Sequence, residues 1–273
     1  MERPAKLQSA SLRKDEARKR AIKQKMGLTE PKNLKKRVIG AIDTKERKLK
    51  RPVDVPGGPF DGVLPGIILL LGTSMSGKTT WIINAVMQKA LFGGMFDILH
   101  MVCPTIDVDS SYEAVIGLPE TKLHKDFTTD TEKEIKANMA KAKADAKDLH
   151  QGLVIDDGVS SSASQRGNPM QSFASVARHY TDMTLISTQD LRATALPKFR
   201  NQIRLYVIMR MSSETDRTNL FRELGSFFGG RRQLENLFVE ATEGDNPYAF
   251  MLINVPKKTV WRGFNELIYT GVE

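Results

Sequence analysis

The sequence predicts an α/β fold: a mostly parallel sheet covered by helices on both faces. Three observations carry this. Short apolar runs alternate with helical stretches, and helices between strands mean crossover connections. The run "IILLL", Ile67 to Leu71, leads straight into a glycine-rich turn and then a helix. A later apolar run, "GLVI", ends in two adjacent acids, Asp156 and Asp157.

The elements follow in order. Ile67–Leu71 is a buried strand. Thr79–Leu91 reads as a helix, ended by Gly93-Gly94. Phe96–Val102 is a strand stopped by Pro104. Thr131–His150, rich in Ala and Lys, reads as a surface helix. Gly152–Ile155 is a strand, Met170–Tyr180 a helix and Met183–Thr188 a strand. Ile203–Met211 is another strand, followed by helix Glu214–Leu224. Tyr248–Asn254 and Lys258–Arg262 form a late pair of strands around Pro256. No internal repeat is visible.

Charge divides the chain. Residues 1–51 hold 18 of the 41 Lys and Arg but 6 of the 32 acids, a net +12 that leaves the remainder at −3. With few apolar residues, this segment reads as a flexible basic arm, of a kind that meets nucleic acid or an anionic surface or serves as a solubilising tail. Residues 52–65, dense in Pro and Gly, read as a linker wrapping onto the body at 66–273. No apolar run approaches the roughly 18 residues of a membrane helix. The N-terminus has no apolar secretory core, and Glu2, Asp15 and Glu16 argue against a transit peptide. Cys103 is the only cysteine, which excludes an internal disulfide and suits a soluble protein in a reducing compartment.

Gly72-Thr73-Ser74-Met75-Ser76-Gly77-Lys78-Thr79 matches G-x-x-x-x-G-K-[ST] at every fixed position, with Thr80 continuing into the helix. Such a P-loop turns backbone N–H groups toward a polyphosphate at a helix N-terminus. Lys78 is expected to reach the β- and γ-phosphates of ATP, and Thr79 to ligate Mg²⁺. Asp156 is expected to hold the Mg²⁺ shell, through water, and Asp157 to orient or deprotonate the attacking water. Gln189, at the tip of the next strand, is positioned to touch the γ-phosphate and that water. Arg178, in "VARHY", suits insertion into a neighbouring subunit's site or a plain surface position.

These elements, in this order, resemble the FtsK–HerA superfamily of DNA-pumping ATPases. Within it the chain looks like the genome-packaging ATPases of large double-stranded DNA viruses and related viruses with internal membranes. The stretches are "GTSMSGKTT", "MVCPT", "GLVIDDG", "ARHYTDMTLISTQ" and "ALPKFRNQIRLYVI", between about Ile67 and Leu224. Most of the superfamily carries Glu where this chain has Asp157. The resemblance implies a RecA-like sheet of the ASCE class, a homo-oligomeric ring, and ATP-driven threading of double-stranded DNA. It implies capsid or internal-membrane proteins at a packaging vertex as partners, and a location in the virion or the host cytoplasm. Other readings are a HerA-like helicase or conjugation-type pump, a P-loop nucleoside or small-molecule kinase, and a structural DNA-binding protein with a relic P-loop.

A local basic excess bears on the DNA reading. Between residues 192 and 232 lie Arg192, Lys198, Arg200, Arg204, Arg210, Arg217, Arg222, Arg231 and Arg232, against Glu214, Asp216 and Glu223. The polar loop Gly158 to Pro169, with Arg166, is placed to couple hydrolysis to a track or is a plain surface loop.

Overall fold

The computed structural model describes residues 57–271 other than 117, 119, 120, 158–168, 190–199 and 212. The basic arm, the start of the linker, Arg166, Arg192 and Lys198 lie outside the described residues.

Nine strands form one sheet among the described residues, in the order β3-β2-β4-β5-β1-β6-β7-β8-β9. The strands are β1 (Gly66–Leu71), β2 (Ile98–Val102), β3 (Thr121–His124), β4 (Gln151–Ile155), β5 (Met183–Thr188), β6 (Ile203–Ile208), β7 (Met251–Asn254), β8 (Thr259–Arg262) and β9 (Glu266–Thr270). β3 through β6 in that spatial order run parallel, and β7 to β9 extend the sheet as an antiparallel meander. Helices α1 (Lys78–Met87), α2 (Glu113–Ile116), α3 (Thr129–Ala144), α4 (Pro169–Ala174), α5 (Glu214–Gly225) and α6 (Arg231–Thr242) complete the elements.

β1 shows why the sequence folds this way. All six of its residues are buried. Ile67, Leu69 and Leu71 face a core shared with α3, α4, α5 and α6, while Ile68 and Leu70 face a second core under α1. A strand covered on both sides must be apolar at every position, not every second one. Phe221, fully buried in the first core, illustrates the scale: truncation to Ala at such a site costs about 3–5 kcal/mol. Residues 57–65 add to the second core, where Phe60, Val63 and Leu64 are buried and Asn254 donates to the carbonyls of Pro59 and Asp61.

Several boundaries differ from the sequence expectation, for local reasons. α1 stops at Met87 because Phe92 N–H returns to the Ala85 carbonyl and Gly93 N–H to that of Gln88. α3 starts earlier, capped by Thr128 Oγ1 on Thr131 N–H at 3.2 Å, with acids in its first turn and lysines in its last. It ends at Ala144, where Ala146 takes a left-handed φ of 52° and Lys147 N–H bonds the Ala142 carbonyl. The helix expected over Met170–Tyr180 breaks into α4 and a 3₁₀ turn, Ala177–His179. β3, α2, α6 and β9 are additions to the expected set.

Candidate nucleotide site

The strand order decides what can meet. β5 lies between β1 and β4, so the strand carrying the P-loop and the strand carrying the acid pair are separated by the strand that ends in Gln189. Leu71 is in register with Thr188, and Ile155 with Ile186, so all three strands end at one edge. In a parallel sheet this C-terminal edge is where ligands bind.

The loop from Gly72 to Gly77 is held by its neighbours. Gly72 N–H bonds the Thr188 carbonyl, Thr73 N–H that of Arg210, and Ser76 N–H that of Thr73. A Cβ at Gly72 would lie 2.4 Å from Ser76 Oγ and 2.9 Å from Met209 Cβ, so the close turn needs glycine. Gly77 takes φ 94° as it enters α1. Met75, at φ 60° and 94% exposed, holds a left-handed conformation at the loop tip. Ser74 and Thr80 are exposed or half-exposed on either side of it, and Thr80 also lines a neighbouring pocket.

Lys78 is buried and caps the loop, its Nζ donating to the carbonyls of Gly72 at 3.1 Å and Thr73 at 2.8 Å. Burial pulls its ammonium below the ordinary lysine value, and the charges of Asp157 and Asp156 offset part of that. Asp156 is buried and fully engaged. It accepts from Thr79 Oγ1 at 2.9 Å, from the Tyr112 hydroxyl and from Ser187 Oγ. Its own N–H bonds the Val102 carbonyl of β2. The Tyr112 hydroxyl is pushed well above its ordinary value, by burial first and then by the Asp156 charge, so it acts as a fixed donor.

Asp157 stands at the lip, with φ 49° and its N–H on Ser187 Oγ at 3.2 Å. Partial burial of its carboxyl, then the charge of Asp156, raises it above the usual carboxylate range. Lys78 and a hydrogen bond from Gln189 pull the other way. The structure therefore brings Lys78, Thr79, Asp156, Asp157 and Gln189 together.

It does not bring Arg178 to them. Arg178 lines a cavity of about 280 Å³ with Pro65, Gly66, Asn201, Gln202 and Arg204. That is the N-terminal edge of the sheet, one full strand from Gly72, or about 20 Å at ~3.3 Å per residue. The basic run after residue 192 is likewise split. Arg204 lies at the start of β6 and Arg210 beyond its end, while Arg200 pairs with Glu223, Arg231 with Glu235, and Arg217 lies over Phe238.

Sequence reasoning missed three parts of the site. Ser187 was detectable as one of the hydroxyl residues of β5, beside Thr184 and Thr188. Tyr112 had no signal, since its contact to Asp156 joins residues 44 apart through the fold. The third is a cavity of about 440 Å³ beside Gly77 and Thr80, lined by Trp81, Tyr248, Phe250 and Phe264 with Asn84 and Gln88. Trp81 stacks on Phe264 at 5.8 Å, and its buried Nε1 has no hydrogen-bond partner. Thr79 and Asp156 offer hard oxygen donors side by side, the donor set that suits Mg²⁺. No helix among the described residues is long and apolar enough to cross a membrane.

No protein-family model matches the sequence, and no curated protein is detectably similar to it. Among solved structures, the genome packaging NTPase B204 of Sulfolobus turreted icosahedral virus 2 with ATPγS is 16% identical over 71% of this chain and 95% of its own, at a TM-score of 0.46. The same protein with sulfate gives 17% identity, 76% and 98% coverage, and 0.49. The pCW3 conjugation coupling protein TcpA, with ATPγS, gives 14%, 76% and 58%, and 0.44. The chain's own strand order and glycine loop give it a P-loop NTPase fold.

Proposed function

We propose that this chain is an ATPase that drives double-stranded DNA, as a homo-oligomeric ring, into a viral capsid. The observation that carries the hydrolytic part is the convergence of Lys78, the Thr79–Asp156 pair and the Asp157–Gln189 pair at one sheet edge. Lys78, whose Nζ donates to the Gly72 and Thr73 carbonyls here, would carry its charge to the β- and γ-phosphates when ATP binds. Thr79 and Asp156 would hold Mg²⁺, whose charge offsets that of the phosphates. Asp157, its carboxyl raised above the usual carboxylate range and hydrogen-bonded by Gln189, is placed to orient the attacking water and take its proton. The aromatic cavity beside Gly77 is sized and lined for the base.

The direction of the work rests on the sequence. The Arg178-His179 pair before a strand ending in Gln189 is the feature most specific to DNA-pumping ATPases, and the basic arm supplies a DNA-directed charge. The similar B204 is a genome packaging NTPase, and the similar TcpA is a conjugation coupling protein.

The deciding experiment is ATP hydrolysis by the full chain with and without long duplex DNA. Stimulation by duplex DNA supports the reading. Hydrolysis indifferent to DNA but stimulated by a nucleoside acceptor would replace it with a kinase.

A further inference from the structure

His100, His124 and Glu134 form a cluster to which the nucleotide site gives no role. His100 sits in β2, His124 closes the neighbouring β3, and Glu134 comes from α3 above them. One ligand-type atom of each lies within 4.8 Å of the other two. His100 is buried, whereas His124 and Glu134 are half-buried, so the cluster is open to solvent on one side.

We propose that these three residues bind a divalent transition metal of the zinc class, clipping the edge strand β3 and helix α3 to β2. The strongest argument is the tautomer of His100. Gln151 donates through Nε2 to the carbonyls of Ile135 at 3.2 Å and Tyr180 at 3.1 Å. Its Oε1 accepts from Asn138 Nδ2, which fixes the amide orientation. That same Oε1 faces His100 Nε2 at 3.3 Å, so His100 Nε2 must carry the proton. The lone pair is then on His100 Nδ1, which faces His124 Nε2 at 3.3 Å. A metal-binding imidazole is oriented in this way, its other N–H held by a polar partner.

The spacing fits as well. Two nitrogens each about 2.0–2.1 Å from a tetrahedral zinc lie about 3.3–3.4 Å apart. The separation between His100 Nδ1 and His124 Nε2 is 3.3 Å, which is the spacing of two such ligands. Glu134 engages Lys122 through Oε1, which leaves Oε2 for the metal. Lys122 opposes a cation and the Glu134 charge offsets it, so affinity comes chiefly from the two imidazoles. Imidazole ligands select zinc, copper or nickel over Mg²⁺, so this site does not compete for the ion expected at Thr79 and Asp156. β3 has four residues and an exposed outer edge, and a clip there supplies what its short pairing lacks.

The test uses the full chain, stripped with a chelator and dialysed. It is titrated with zinc alone against a chromophoric competitor, and its thermal unfolding is followed with and without one equivalent. The expected result is one zinc per chain and a raised Tm, with both lost in His124→Gln while the metal-free Tm is unchanged. Glu134→Gln, which keeps the side-chain shape, is expected to weaken binding by at least about tenfold, and it carries the comparison if His124→Gln fails to fold. Magnesium at the same concentration should produce neither effect. Absence of stoichiometric zinc, or equal zinc binding by the parent and the folded variants, overturns the proposal.

Discussion

Thr79 Oγ1 donates to Asp156 Oδ2 at 2.9 Å, joining residues 77 apart in the chain into one oxygen-lined corner. β4 delivers Asp156 and α1 delivers Thr79, and only the placement of β5 between β1 and β4 sets the gap between them. Removing the Asp156 charge should remove the Mg²⁺ anchor, and removing the Lys78 ammonium the phosphate grip, while the sheet stays intact. Lys78→Ala and Asp156→Asn are each expected to lower ATP turnover by at least about 100-fold, the scale of losing one preorganised charge contact. Steady-state phosphate release on folded variants checks this. Turnover near the parent rate in either variant removes the assignment of the site.

Asp157 makes a different prediction, about pH. Its carboxyl is raised by partial burial and by Asp156, and Gln189 holds it down. A base acts only when ionised, so turnover should fall on acidification through a value above the usual carboxylate range. Gln189→Leu removes a hydrogen bond that favours the charged form, and should move that acid limb further up. The stability sign is opposite. A carboxylate raised in the folded state weakens folding as pH rises through its unfolded and then its folded value. Asp157→Asn should therefore lose turnover yet unfold at the parent temperature or slightly above it near neutral pH. An acid limb unmoved in Gln189→Leu separates Gln189 from the base.

What could be read in advance follows from how each element is held. β1, β4 and β5 are buried on both faces, so their apolar runs mark them without help from neighbours. β3 reads "TKLH" and is a strand only because β2 offers it a free edge. α6 buries Leu234, Leu237, Phe238 and Ala241, a helical spacing that was present in the sequence and went unused. In the site, Lys78, Thr79 and Asp156 belong to short motifs whose spacing is local. Tyr112 and Tyr248 reach their places through long-range packing, and no local pattern announces either.

Tyr248 tests the base pocket. Its ring carbon would stand 3.0 Å from a Cβ placed on Gly77, so it roofs the start of α1 beside Trp81 and Phe250. Stacking of a base on an aromatic side chain is worth about 1–3 kcal/mol by Ala substitution. Tyr248→Ala should raise the KM for ATP about fivefold or more with a smaller change in kcat. An unchanged KM for ATP moves the base elsewhere.

The basic arm tests the DNA reading independently of hydrolysis. Residues 1–51 carry a net +12 against −3 for the rest of the chain. Phosphate contacts release counterions, so each contact adds about 0.9 to the slope of log affinity against log salt. If about five arm residues touch phosphates, deleting 1–51 should shrink that slope by roughly 4 to 5 and leave basal ATP hydrolysis in place. A slope that does not change assigns the arm to a capsid or membrane surface.

Arg178 tests the ring. It lies at the N-terminal edge of the sheet with Arg204, a full strand from Gly72, and cannot reach its own chain's phosphate loop without unfolding β1. A neighbouring subunit presenting its C-terminal edge to that face would receive it. An arginine acting this way is worth on the order of 10³ to 10⁵ in turnover. Arg178→Ala should thus bind ATP normally and fail to hydrolyse it. Lys78→Ala fails for the opposite reason, so mixing the two inactive proteins creates some sites with an intact loop beside an intact arginine. Partial activity should return on mixing, measured as phosphate release at a fixed total concentration. If nothing returns although mixed rings form, single-turnover hydrolysis separates the causes, since it needs no coordinated cycling. Activity there means that one dead subunit stalls the ring, and silence means that Arg178 is not the trans group. Parent-like turnover in Arg178→Ala alone would transfer the role to Arg204, which shares its cavity, or to Arg200 beside it.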